Sequence, residues 1–153
     1  MTIGMSSETD NGTAPAEQSL AIQNRLTEIA TVTEALESFA TANRVTETIT
    51  WRFQLALEEL LRNVIAHAYT DNCAHEIEVH FQCSDSEFTA VVRDDGIPFN
   101  PTHIEAPDLS EALEEREIGG LGIHLARNVV EELDYAWEEG RNVVTLRSQL
   151  PTG

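Results

Sequence analysis

There is no lysine anywhere in this 153-residue chain; all nine of its basic residues are arginines. That excludes a Walker A phosphate-binding lysine, the strand lysine of eukaryotic-type protein kinases and any Schiff-base mechanism. If the protein handles a nucleoside triphosphate, backbone amides, magnesium and arginine must cradle the phosphates. Cysteine is nearly as scarce: Cys73 and Cys83 are too few and too far apart for a zinc site or a disulfide framework, and read as small reduced residues near a strand. Long apolar runs are missing too, none approaching the roughly 20 residues of a membrane span. The Ser/Thr/Glu-rich segment 1–17 has no basic start followed by an apolar stretch. It is expected to be a disordered leader, not a signal peptide, and the protein to be cytoplasmic. Positive charge is the last deficit, 9 basic residues against 27 acidic giving −18. Repulsion from phosphates disfavours general nucleic-acid binding and docking on anionic membranes. A well-solvated acidic surface, or a partner with a basic face, is what remains.

What is present fits one soluble domain, over about residues 18–150, at 41% hydrophobic and 24% charged content. Residues 18–23 are a short first strand. Leu26, Ile29, Ala30, Val32, Leu36, Phe39 and Ala40 recur at helical spacing between Arg25 and Asn43. A second helix runs from Glu47 to Tyr69, with a broad apolar face that includes Phe53, Leu57, Leu60, Leu61 and Val64. Ile77, Val79 and Phe81 then alternate with Glu78, His80 and Gln82, and Phe88 to Val92 returns as the partner strand. Residues 100–118 show no period; a long connection inside a compact domain is usually functional or mobile. Gly119–Leu133 is helical again, and Tyr135–Glu139 with Asn142–Leu150 closes a last hairpin. This order predicts an α+β fold, a two-layer sandwich whose mixed, mostly antiparallel sheet carries three helices on one face.

Three segments carry chemistry. On the second helix the i, i+4 spacing puts Glu59 and Asn63 on one face, about 6 Å apart along the axis. The Asn carbonyl oxygen is a hard ligand for Mg²⁺, and the carboxylate can take a proton from an attacking hydroxyl. The same pair is also what the wet side of any helix carries. The adjacent Glu58 points about 100° away, so Glu58 and Glu59 do not flank one bond. The strand ending Arg93-Asp94-Asp95-Gly96-Ile97-Pro98 leaves a carboxylate at the sheet edge before a sharp bend. Asp94 there can accept from an exocyclic amine such as adenine N6, while Gly96 lets a base approach the backbone. A turn with capping acids accounts for this segment equally well. Finally, Gly119-Gly120-Leu121-Gly122 opens the last helix, where exposed amides and the helix dipole favour a phosphate; a flexible hinge is the alternative.

Taken together, the order and spacing of these blocks resemble the N, G1 and G2 boxes of the GHKL ATPase superfamily, shared by gyrase, Hsp90, histidine kinases and MutL. The likeness is greatest to bacterial anti-sigma factor serine-protein kinases of the RsbW/SpoIIAB type, and covers nearly the whole chain. It implies the Bergerat ATP-binding fold, with ATP and Mg²⁺ as cofactors. By this resemblance Asn63 holds Mg²⁺, Glu59 is the general base, Asp94 binds adenine, and Gly96 gives the base room. The amides of Gly119, Gly120, Leu121 and Gly122 take the phosphates, and residues 100–118 form the ATP lid. Two departures stand out. Arg62 occupies the place of a small hydroxyl residue before the Asn. The lid has no lysine, so Arg116 is the candidate phosphate-facing charge, or else an exposed partner for Glu114 or Glu117.

The implied function is an ATP-dependent serine/threonine kinase that binds a sigma factor and phosphorylates a STAS-domain antagonist, working as a homodimer. A nucleotide-gated binding module with little chemistry, or a detached histidine-kinase-like ATPase domain, remain as alternatives. Several other residues are expected to be structural: His67 as a hydrogen-bonded histidine, Trp51 and Trp137 as packing.

Overall fold

The structure, a computed structural model, describes residues 14–100 and 130–151. Strand β1 (Ala16–Gln23) leads through a 3₁₀ turn (Leu26–Glu28) into α1 (Ile29–Ala42) and α2 (Glu47–His67). Strands β2 (Glu76–Cys83), β3 (Glu87–Asp94), β4 (Glu132–Glu138) and β5 (Arg141–Gln149) complete a five-stranded sheet in the order β1-β2-β3-β5-β4.

Local chemistry sets the element ends. Leucine, alanine and glutamate dominate the middle of α2, and Thr46 caps it, its hydroxyl accepting from Ile49 N at 3.3 Å. The helix α1 stops in a Schellman turn, in which Val45 N donates to Ala40 O and Arg44 N to Thr41 O. Arg44 occupies the left-handed position there at φ 61°, where glycine is the usual residue. The β4–β5 hairpin turns through Glu139 (φ 53°) and Gly140 (φ 77°), the two positive dihedrals of a type I′ turn.

Alternation decides which sheet face is buried. Ile77, Val79, Phe81 and Cys83 of β2 and Phe88, Ala90 and Val92 of β3 point inward onto Val32, Leu36, Phe39, Phe53, Leu57, Leu60 and Leu61 of the helices. Phe53 meets Phe88 edge-on at 4.7 Å, and Phe39 stacks on Phe81 at 5.8 Å. The other sheet face is polar and paired: His80 meets Ser19 and Glu17, Arg141 meets Glu78, and Arg147 meets Glu132 and Asp134.

The α+β layering follows the expectation, with four corrections. Among the described residues every strand pairing is antiparallel, not mixed. The first strand starts at Ala16, because Ala16 and Glu17 find partners in Cys83 and Gln82, and so takes in the end of the expected leader. Glu132 and Leu133, expected to end the third helix, are the first residues of β4, paired with Arg147 and Leu146. Val130 and Glu131 form a bend before it, also not helix, and residues 119–129 lie outside the described residues. Trp51 and Trp137 are 59% and 46% exposed and are not core packing. Trp51 precedes the buried Phe53 by two residues, which turns it to the opposite side of α2, and Trp137 lies near the end of an edge strand. No helix among the described residues is long and apolar enough to cross a membrane.

Candidate functional site

The inward alternation of β3 ends on a carboxylate. After Phe88, Ala90 and Val92 the next inward position is Asp94, which is only 2% exposed. Its Oδ1 accepts from Gly96 N and from Asn142 Nδ2, each at 2.9 Å. Among the described residues no bond is made to Oδ2. Burial pushes the Asp94 carboxyl above the usual carboxylate range, and the Asn142 and Gly96 hydrogen bonds pull the other way.

Asn142 pairs with Asp94 across the β3–β5 ladder and is equally buried. Besides Asp94, its Nδ2 donates to Ile97 O at 2.8 Å, while its Oδ1 accepts from Phe99 N at 2.9 Å and from the Tyr135 hydroxyl at 2.6 Å. One amide thus ties the carboxylate, the bend after β3 and strand β4 together. The sequence places Asn142 at the start of the last hairpin strand, with no partner named for it. The signal was there in the alternation of Asn142, Val144, Leu146 and Ser148 along β5, which puts an asparagine on the core side.

The bend after β3 rests on the end of α2. Ile97 N donates to Ala68 O at 2.8 Å, and a Cβ on Gly96 would lie 2.5 Å from both the Cβ and the carbonyl oxygen of Ala68. Glycine is required here by the helix contact itself, apart from any room it gives a ligand.

On α2, Asn63 is the one polar side chain in the buried set of Phe53, Ala56, Leu57, Leu60, Leu61 and Val64. Its Nδ2 donates to Glu59 O at 2.7 Å, which fixes the amide and commits its nitrogen to the helix. Glu59 Oε1 accepts from Arg62 at 3.0 Å, whereas the buried Oε2 has no hydrogen-bond partner among the described residues. A carboxylate oxygen left this way needs a reason, such as a ligand or a proton to take.

Asn63, Asp94, Asn142 and Phe99 converge on one cleft floored by Leu60, Val64 and Val144, with His67 and Ala68 beside them. His67 is exposed at this cleft, and no hydrogen bond ties it to a described residue, contrary to the structural role expected of it. Glu59 sits one turn before Asn63 and does not line the cleft itself. Arg116, Gly119, Gly120, Leu121, Gly122 and most of the expected lid lie outside the described residues. Of the cysteines, Cys83 is buried on β2 as expected; Cys73 is exposed in the α2–β2 connection.

The carboxylate of Asp94 and the amides of Asn63 and Asn142, gathered at one apolar-floored cleft, offer an acceptor for an amine and an amide oxygen for a hard cation. Residues 22–148 match the family described as histidine kinase-like ATPase domain. Over 132 residues the chain is 29% identical to the serine/threonine-protein kinase BtrW of Bordetella bronchiseptica, covering 76% of this chain and 93% of that protein. It is 24% identical over 95 residues to the serine-protein kinase RsbW of Bacillus mycoides, a match spanning 60% of this chain and 59% of that one. The crystal structure of the RsbU and RsbW domains of Rv1364c from Mycobacterium tuberculosis superposes with a TM-score of 0.63 at 15% identity. That superposition covers 90% of this chain and 33% of the other, and it speaks to the fold alone.

Proposed function

Because the chain belongs to the histidine kinase-like ATPase domain family, we propose that it is an ATP-dependent serine/threonine protein kinase acting as an anti-sigma regulatory factor. It phosphorylates a STAS-domain antagonist and binds a sigma factor, as a cytoplasmic homodimer in a partner-switching pair. The kinase names of the BtrW and RsbW relatives support the reaction type.

The observation that carries the reading is the buried Asp94–Asn142 pair lining one cleft with Asn63, and, a turn of α2 away, a Glu59 Oε2 with no partner among the described residues. Asp94 Oδ2 accepts from the adenine amine, and the Gly119–Gly122 amides with Arg116 hold the phosphates. For Mg²⁺ the donors present fit: Asn63 would offer its amide oxygen, the amide nitrogen being held on Glu59 O one turn back. An ion held there with the nucleotide would neutralise charge on the phosphates. Glu59 Oε2 takes the proton of the acceptor Ser or Thr hydroxyl as its oxygen bonds to the γ-phosphorus. The bond from that phosphorus to the bridging oxygen breaks, and ADP leaves with the electron pair.

The direct test is incubation with ATP–Mg²⁺ and the STAS-domain proteins of the same genome. Transfer to at least one, lost in Glu59→Ala, is expected; no transfer to any of them refutes the kinase. A second reading, a nucleotide-gated binding module, draws on the Arg62–Glu59 ion pair, which engages one oxygen of the proposed base. It wins if partner regulation survives in full in Glu59→Ala.

A further inference from the structure

Just before β2, His75 stands between two carboxylates, one of them Asp95 next to Asp94 in the bend after β3. Its Nε2 lies 2.8 Å from Asp71 Oδ1 and its Nδ1 3.4 Å from Asp95 Oδ1, and its ring stacks on Tyr69 at 4.3 Å. The backbone beneath it is anchored, with His75 N donating to Asn24 Oδ1 and Asn24 N to His75 O. We infer that His75 is a positioning residue for the nucleotide cleft, holding the Asp94–Gly96 bend against the end of α2 by clasping Asp95 and Asp71 at once.

The bend has two grips. Ala68 bears on Gly96 and Ile97 from the helix side, and His75 reaches Asp95 from the β2 side. Asp94 immediately precedes both attachments, and its bond from Gly96 N depends on the shape of the bend. Only the doubly protonated ring presents an N–H to both carboxylates; a neutral imidazole turns a lone pair toward one of them. The groups facing the ring are Asp71, Asp95 and Tyr69. The hydrogen bond to Asp71 is the main cause holding the His75 ring charged to higher pH than usual, burial opposing it, and Asp71 is correspondingly held more acidic. The sign is therefore fixed. The clasp is complete at low pH and is lost as pH rises through the raised value of His75.

The inference rests on the assignment of Asp94 to adenine, and the experiment separates the two. A fluorescent ADP–Mg²⁺ analogue is titrated into the wild type, His75→Gln and Asp94→Ala at steps between about pH 5.5 and pH 8.5. Wild type and variant are compared at each pH, so titration of the ligand cancels. His75→Gln is expected to bind about two- to fivefold more weakly than wild type at the acid end, a difference that closes at the alkaline end. Thermal melts check that His75→Gln is folded, and NMR titration of the His75 ring dates the change to that group. Equal affinity of wild type and His75→Gln at every pH overturns the inference, as does a constant ratio, which a merely structural role would give. Unchanged binding by Asp94→Ala overturns the adenine assignment instead.

Discussion

Replacing Asn142 by alanine tests whether the cleft is built around this amide. The substitution removes four hydrogen bonds: to Asp94, to Ile97 O, from Phe99 N and from the Tyr135 hydroxyl. At about 1 kcal/mol net for each, the four sum to about 4 kcal/mol. The Phe99, Ile97 and Tyr135 groups are only part-buried and recover some of this from water, whereas the Asp94 bond is buried. A loss of about 2–3 kcal/mol is the expected balance. The Asn142 bond favours ionised Asp94, whose carboxyl burial already holds above its ordinary 3.8. Removing the bond raises it further. The penalty is therefore largest at neutral pH and shrinks as pH falls through the folded value of Asp94, where the charge the amide served is gone. Urea unfolding of both proteins at several pH values measures it, and ADP binding tracks the cleft. A difference under about 0.5 kcal/mol at neutral pH, or one that grows on acidification, refutes the reasoning.

Other perturbations separate local from functional effects. Arg44→Gly relieves a left-handed residue in the α1 Schellman turn and is expected to stabilise by about 0.5–1 kcal/mol in thermal or urea melts. Gly96→Ala drives a methyl into Ala68 and is expected to cost about 2 kcal/mol or more and weaken nucleotide binding. Adding Ala68→Gly recovers only part, because the Ala68 carbonyl oxygen is as close as its Cβ. Arg62→Thr breaks a half-exposed i, i+3 pair worth at most about 1 kcal/mol, so phosphotransfer should stay within about fivefold of wild type. Glu59→Gln removes the proton acceptor and should cost about a hundredfold or more, leaving ADP binding in place. Equal losses in the two would assign the ion pair, not the orphaned oxygen, to the chemistry.

The helices and strands were legible because period and alternation run through them unbroken: Val32, Leu36 and Phe39 on α1, Ile77, Val79 and Phe81 on β2. The Glu59/Asn63 pair and the Asp94 strand end were legible for a related reason. Each is a polar residue set by its spacing into a regular element. Asn142 was hidden because it lies two residues past a glycine turn, and turn chemistry explains an asparagine there without a partner. Only the β3–β5 register, a non-local fact, turns it toward Asp94. His75 was hidden similarly, since Asp71, Asp95 and Tyr69 meet it only after α2 and β3 are placed. The strand start at Ala16 escaped notice because pairing with β2, not local propensity, holds it.

Burial cost points to the same place. Among the described residues four polar side chains are buried: Asn63, Asp94, Asn142 and Ser148. Ser148 caps a local backbone group, accepting from Glu131 N. The other three line one cleft. A core selected for stability alone has no use for a carboxylate on the inward face of β3, since an apolar residue there would avoid the desolvation penalty. The molecule instead spends its Asn142 amide holding that carboxylate ionisable, and gives the one buried amide of α2, Asn63, to the same cleft. Regular elements broken by polar residues at one shared location are where a fold departs from its own pattern for function. The departure here falls where the proposed nucleotide site needs it, with Asp94 offered to an amine-bearing ring and Asn63 to a hard cation.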